Sequence, residues 1–298
     1  MSERDTFSDY HPSVNMIYFV VVLAFSMILM HPICLVISLL SAFSYALYLN
    51  GRKAWRFNLR YMLPLLILTA LLNPAFNHRG MTILTYFKNG NPLTLESIVY
   101  GIAAALMLIT VISWFSCFNA VMTSDKFVYL FGRIIPALSL ILSMSLRLVP
   151  RYRAQIRVIT DAQRCIGRDV STGGLLRRAR HGIRILSIMV TWALENAIET
   201  ADSMKCRGYG LPKRTAFSIF RFDRRDLSAL LFVLICGGYL TAGTVSGGLG
   251  FLYYPMLEGV RTGTYAISLF VCYCALCLMP LALNVREDRK WKSLRSNI

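Results

Sequence analysis

The chain has 298 residues, 56% of them hydrophobic and 16% charged, with a mean hydropathy of +0.53. That is too apolar for an ordinary water-soluble domain, and the apolar stretches recur along the whole length, so a single signal segment does not explain them. A net charge of +17 would point to nucleic acid in a soluble protein; in a membrane chain it is the placement of Lys and Arg that informs, and no nucleic-acid partner is expected.

Residues 14–49 contain no Lys, Arg, Asp or Glu, and His31-Pro32 breaks the run near its middle. Two short spans are expected, each somewhat under the ~20 residues a bilayer asks for. The basic stretch Arg52, Lys53, Arg56 and Arg60 follows, and the positive-inside rule puts it in the cytoplasm. A third span over 61–76 leads to a turn-rich external loop with Asn73-Pro74, His78, Gly80 and Asn89-Gly90-Asn91-Pro92. Thr94 followed by Glu96 reads as a helix start with an acidic first turn, opening a long span to Met122.

Phe127 to Val149 is mostly apolar but carries Arg133, Pro136 and Arg147, and is read as buried at the inner membrane face rather than as a crossing. Residues 150–226 then hold sixteen of the 32 Lys and Arg against seven acidic residues, a cytoplasmic signature. Within it, Leu148, Tyr152, Ile156, Ile159, Ala162 and Ile166 follow helical spacing with arginines on another side. A connector with Gly167, Gly173, Gly174 and Gly182 precedes a second amphipathic helix over 183–206. Its apolar face is Leu186, Val190, Ala193, Ala197, Ala201 and Met204, and Glu195, Glu199 and Asp202 form an acidic stripe. Spans over 227–244 and 264–284 flank a glycine-rich external loop and end in a basic tail, so six crossings put both termini in the cytoplasm.

The fold class is therefore an all-α polytopic membrane protein, with about six transmembrane helices and a cytoplasmic pair of amphipathic helices. Three regions follow: 1–122 with about four spans, 123–226 with the cytoplasmic helices, and 227–298 with two spans and the tail.

Both amphipathic helices close on a similar tripeptide, Cys165-Ile166-Gly167 and Cys206-Arg207-Gly208. Glycine there is a natural C-terminal cap, and Lys205 and Arg207 complement the negative end of the helix dipole. Capping alone explains Arg207; docking on a soluble partner is the other explanation, because arginine's planar fork suits carboxylates and carbonyls. Anionic lipid would explain the charge of the segment but not the paired ends. The eight cysteines lie mostly in apolar runs, so packing is the expected role even for the Cys274-x-x-Cys277 pair. His78 is read as a turn or interface residue rather than a metal ligand, and no metal site is expected. The acidic stripe is read as solvated or as pairing with arginines of the first helix. There is no G-x-x-x-x-G-K-[ST] loop, so this chain is not expected to be an enzyme hydrolysing ATP.

Three segments carry a resemblance that covers most of the chain: Leu71-Leu72-Asn73-Pro74-Ala75-Phe76-Asn77-His78-Arg79-Gly80 with Asn91 to Ser97, Leu146 to Pro150 leading to Ala162-Gln163, and Met204-Lys205-Cys206-Arg207-Gly208-Tyr209-Gly210. In these it resembles the transmembrane T component of energy-coupling factor (ECF) transporters, the family that includes the cobalt-transport permease component. The resemblance implies a scaffold whose two cytoplasmic helices each insert a small-Arg-Gly tip into one ABC-type ATPase subunit. ATP and magnesium would be held by those partner subunits, with no cofactor in this chain. The motion would reorient a separate substrate-binding membrane protein, the S component, for uptake of a vitamin or metal ion across a prokaryotic cell membrane. The first signature usually has Arg where this chain has Ile166, which suits two non-identical ATPases; either Arg164 or Arg168 replaces the contact or an apolar docking of Ile166 suffices. Coupling residues are thus Cys165, Ile166, Gly167, Arg164 and Arg168 at one tip and Lys205, Cys206, Arg207 and Gly208 at the other. Asn73, Pro74 and His78 are expected at contacts with the S component or the membrane interface. The alternatives are a secondary transporter or another membrane scaffold without ATPase partners, for which mid-membrane ionisable residues or internal repeats would be the sign.

Overall fold

Proline sets where the first two helices begin. α1 (Pro12–Ile28) and α2 (Pro32–Asn50) each open on a His-Pro pair, with the His11 or His31 Nδ1 accepting from the backbone N–H two residues on, at 3.2 and 3.3 Å. Proline at the first position gives up an N–H that would have had no helical partner anyway. The computed structural model describes residues 5–51, 55–56, 58–86, 92–171, 173–209, 220–259 and 263–296. Arg52, Lys53, Asn89, Gly90, Asn91, Gly210 and the basic residues Lys213 and Arg214 lie outside the described residues.

A π-helical turn (Asn58–Met62) runs into α3 (Leu63–Phe76), followed by a hairpin of β1 (Ile83–Tyr86) and β2 (Pro92–Thr94) and by the long α4 (Leu95–Val121). Next come α5 (Ser124–Ile134), α6 (Pro136–Cys165), α7 (Leu175–Cys206) and α8 (Arg224–Val245). A second hairpin, β3 (Phe251–Leu252) with β4 (Glu258–Gly259), precedes α9 (Thr264–Ser296). Sequence reading had both hairpins as plain loops; two to four residues of strand leave too short an alternation to detect.

Among the described residues four helices are long and apolar enough to cross a membrane, namely Pro32–Asn50, Leu95–Val121, Arg224–Val245 and Thr264–Trp291. Pro12–Ile28 and Arg60–Phe76 are apolar but shorter. At 1.5 Å per residue a 17-residue helix reaches only about 26 Å.

The chain divides into two compact units, Met1–Phe127 with Phe220–Ile298, and Val128–Ile219. The division falls at 127/128 and 219/220 rather than at 122/123 and 226/227, because polar anchors tie both flanks into the first unit. The Lys126 ammonium is 5% exposed and donates to the Val121 carbonyl at 2.9 Å and to Ser8 Oγ at 3.0 Å; burial lowers its pKa. Asp226 caps α8 together with Asp223 and also accepts from the His11 backbone N–H at 2.9 Å.

The core of the first unit joins α1, α2, α4, α8 and α9 around Tyr18, Phe19, Tyr45, Trp114, Leu269 and Tyr273. A buried polar ladder threads it: Trp114 Nε1 donates to Ser38 Oγ at 3.0 Å, Ser38 bonds Ser26 at 2.9 Å, and Ser26 meets the Tyr273 hydroxyl at 3.4 Å. Such small hydroxyls let helices approach closely while satisfying each other in an apolar medium. Cys277 of the C-x-x-C lies in this core, with Cys34 and Cys117.

At the first hairpin, the Thr94 side chain caps α4, accepting from the Ser97 N–H at 3.4 Å. Glu96, 2% exposed, clasps the preceding loop by accepting from Thr82 N–H at 3.1 Å and Thr82 Oγ1 at 2.7 Å. Gly80 leaves room for this carboxylate: a Cβ there would stand 2.5 Å from Glu96 Oε2. Glu96→Ala is expected to destabilise the first hairpin, because the Thr82 N–H and hydroxyl lose their shared acceptor. A lower unfolding temperature of the solubilised chain and faster exchange of the Thr82 amide would register it.

Candidate functional site

The unit Val128–Ile219 is built on α6 and α7. Their seam is small: Ile159, Ile185 and Met189 are buried, with Tyr152, Val170 and Trp192 packed around them. The Tyr152 and Trp192 rings meet edge to face at 5.8 Å. Arg151 lies over the Trp192 ring at 5.4 Å and donates to Asn196 Oδ1 at 2.7 Å. Position 151 meets 196 while 152 meets 192, so the helices run antiparallel.

The apolar face read from spacing on α7 is not the one that forms the seam. Leu186 and Val190 are instead 62% and 50% exposed, and the seam is formed one position earlier, by Ile185, Met189 and Trp192. Both stripes satisfy helical spacing; the larger Met and Trp side chains fill the space beside Tyr152 and Ile159, which the alanines of the other stripe would leave empty. On α6, Ile156 and Ile166 of the expected face are also exposed, and Ile141, Leu142 and Val149 present apolar surface outside the protein core. Gly182 belongs to α7 rather than to the connector. Among the described residues the acidic stripe has Asp202 paired with Lys205 at 3.8 Å, whereas Arg151 of α6 goes to Asn196 and Trp192.

The two helix ends have the same geometry. At the first, Gly167 N–H donates to the Arg164 carbonyl at 3.0 Å and Arg168 N–H to the Gln163 carbonyl at 3.0 Å. At the second, Gly208 N–H donates to the Lys205 carbonyl at 2.9 Å and Tyr209 N–H to the Met204 carbonyl at 3.0 Å. Gly167 and Gly208 have φ of +76° and +73°, the left-handed conformation that glycine adopts without penalty and that turns the chain sharply off a helix. Ile166 (φ −91°, ψ 10°) and Arg207 (φ −80°, ψ 9°) therefore hold equivalent capping positions, each flanked by an exposed cysteine, Cys165 or Cys206. Each helix continues nearly four turns past the Tyr152–Trp192 contact, in opposite directions, so the tips lie at opposite ends of the pair.

The tips differ in charge. Ile166 is 64% exposed, while Arg207 is an exposed cation at the negative end of its helix. Arg164, at the first tip, is committed to Asp169, with Nε to Oδ2 at 3.1 Å. Arg168 is exposed and has no ion-pair partner among the described residues. The Asp169 clasp escaped sequence reading, although an Asp-x-Ser two residues past a capping glycine is its signal: Ser171 donates to Asp169 through its N–H at 3.0 Å and its hydroxyl at 2.6 Å. These bonds, then Arg164, hold the Asp169 carboxyl down at about 2. The clasp's contribution is thus complete above the ordinary carboxyl value of 3.8 and is lost as pH falls towards 2. An NMR titration of the Asp169 carboxyl is expected to have its midpoint near the lower figure, and Asp169→Asn to free Arg164.

The third group of expected site residues lies in the first unit. Pro74 is buried; Asn73 packs with it near Gly101, where an added Cβ would stand 3.0 Å from Asn73 Cβ and 3.2 Å from Pro74 Cδ. His78 is half-buried, beside Asn77, whose amide donates to the Tyr254 hydroxyl at 2.9 Å. These residues belong to the first unit and the helix tips to the second. Among the described residues no group of three His, Cys, Asp or Glu has the placement of a metal site.

Apolar helices of spanning length and a separate basic hairpin define a multi-pass helical membrane protein. Residues 7–217 match the family model for cobalt transport protein (CbiQ), and the chain belongs to that family. It is similar to the energy-coupling factor transporter transmembrane protein EcfT of Lactobacillus helveticus, 34% identical over 104 residues, which is 35% of this chain and 38% of that protein. The EcfT proteins of Lacticaseibacillus paracasei (34% over 104 residues) and Streptococcus equi subsp. equi (32% over 104 residues) match 35% of this chain and 39% of their own length. The chain thus spans about two fifths of the length of these curated relatives.

Proposed function

We propose that this chain is the transmembrane scaffold of an ECF-type importer, coupling ATP hydrolysis by two partner ATPase subunits to reorientation of a substrate-binding S component. The observation that carries the proposal is the pair of geometrically equivalent helix ends at opposite ends of one antiparallel hairpin. Two such tips suit two soluble subunits whose approach and withdrawal would drive the hairpin. Membership of the cobalt transport protein family supports the same reading, as do the EcfT names of the relatives.

Each residue has its part. Arg207 places a guanidinium where it reaches carboxylates or carbonyls of one ATPase, with Lys205, Cys206 and Gly208 shaping the turn. Ile166 offers the other ATPase an apolar contact, flanked by Cys165 and Gly167. Of the two arginines beside it, Arg168 is the one available for docking, because Arg164 is held by Asp169. The unequal tips favour non-identical ATPase partners. ATP and magnesium would sit on those partners, and this chain would perform no hydrolysis. The uncovered apolar residues of α7, Leu186, Val190, Leu194 and Ile198, suit contact with a membrane partner, and the corner at Asn73, Pro74 and His78 offers the S component a second one. Six apolar helices crossing the membrane would put both termini in the cytoplasm.

Isolation of the intact complex from native membrane tests this. Two ATPase polypeptides and a small membrane protein are expected to co-purify. Recovery of the chain alone, or with a soluble partner lacking ATPase activity, would overturn the proposal.

A further inference from the structure

In the first unit, α2 and α3 both pack on α4 but leave a lateral groove of about 300 Å³ between them. Its lining is almost wholly apolar. The one hydroxyl at its floor, Ser113 Oγ, is spent on Met62 Sδ at 3.5 Å, and both residues are buried. A ligand that fills it therefore needs hydrocarbon and no polar group at that depth. Trp55 forms part of its wall, half exposed and packed edge to face on Phe43 at 5.7 Å. An indole in that position suits the boundary between acyl chains and headgroups.

Beyond Trp55 the character changes to positive charge. Arg56 adjoins it, and Arg60 lies one turn before Leu63, another lining residue; both arginines are exposed. Residues 50–60 include four Lys or Arg and no Asp or Glu. An apolar trough, a tryptophan in its wall and exposed arginines next to the wall residues Trp55 and Leu63 in the chain match the parts of an anionic phospholipid.

We propose that this groove is a specific site for an anionic phospholipid, with one acyl chain between α2 and α3 and the phosphate at Arg56 and Arg60. The site is separate from the helix tips and does not depend on ATPase coupling. Phosphatidylcholine shares the chain and the phosphate but is neutralised by its choline, so it should compete poorly.

The test reconstitutes the full-length chain in nanodiscs of mixed phosphatidylglycerol and phosphatidylcholine. Each lipid is used in turn as a tracer carrying a photoreactive acyl chain, and labelled peptides are mapped. Labelling by phosphatidylglycerol is expected to concentrate at 62–66 and 109–113 over the lipid-facing positions of α8, and to exceed labelling by phosphatidylcholine about fivefold. Ile109→Trp fills the groove and Leu40→Trp obstructs its mouth from a site that is 60% exposed, where folding is not at stake. Either is expected to lower that labelling about tenfold, leaving α8 unchanged. Arg56→Gln with Arg60→Gln should equalise the two lipids. Even labelling along the helices, equal use of both lipids by the unaltered chain, indifference to Leu40→Trp, or cross-linking of Leu63 to a second membrane protein in the native complex would each overturn the proposal.

Discussion

Under the proposed coupling role, Arg207→Glu is expected to weaken association with an ATPase subunit about a hundredfold and to abolish ATP-driven uptake. The guanidinium is exposed at the capping position of a 32-residue helix, on a backbone already fixed by two hydrogen bonds and a left-handed glycine. Little ordering remains to be done on docking, so the contact yields most of its gross energy. Charge reversal then adds repulsion to the lost bonds, and a hundredfold change corresponds to about 2.7 kcal/mol. Glutamate at the helix C-terminus also opposes the dipole, an effect of about 0.5 kcal/mol. Arg207→Gln separates the two, since it removes the docking charge without adding an opposed one. Titration of the purified ATPase pair onto the reconstituted chain measures both. Full binding by Arg207→Glu would exclude this tip as the site. Ile166→Glu is expected to weaken binding at the other tip through an unpaired charge, whereas Ile166→Arg should be tolerated by the backbone, because the two capping positions are equivalent.

Trp192→Ala is expected to do the opposite: ATPase subunits stay bound while uptake is lost. The indole bridges Tyr152, Arg151 and a seam whose fully buried residues number three among those described. So small a seam has nothing in reserve. Truncating a half-buried tryptophan should cost about 3 kcal/mol, near the lower end for Trp→Ala. The tips themselves are set by local backbone bonds and survive, but the hairpin between them loses stiffness and no longer transmits force. Faster amide exchange along α6 and α7 with unchanged ATPase binding would verify this; loss of binding in step with loss of uptake would refute it. Trp192→Phe, which keeps the ring contact with Tyr152, should restore much of the activity.

Much of the fold is legible without coordinates. The His31-Pro32 break, the Thr94 cap with Glu96 behind it, and the uninterrupted apolar runs are local signals, each enforced by backbone chemistry or by the length a bilayer demands. The tip residues are legible for the same reason: a Cys-x-Gly at the end of an amphipathic stretch announces a glycine cap. What the pattern cannot show is which of two apolar stripes on α7 meets α6. Leu186 with Val190, and Ile185 with Met189, satisfy helical periodicity equally, and only the volume left beside Tyr152 chooses between them.

By itself, then, the sequence determined the class of the molecule, the positions of its helices and the identity of its two tips. These depend on composition, on proline and glycine, and on spacing along one helix. Tertiary structure alone decided two further things. It chose Ile185, Met189 and Trp192, rather than Leu186 and Val190, as the residues of α7 that meet α6. It opened the groove beside Trp55, whose walls come from residues up to 74 positions apart, Leu39 to Ser113. In each case the deciding energy is between groups that neighbour one another only after the chain has folded, and periodicity along a single helix carries no record of them.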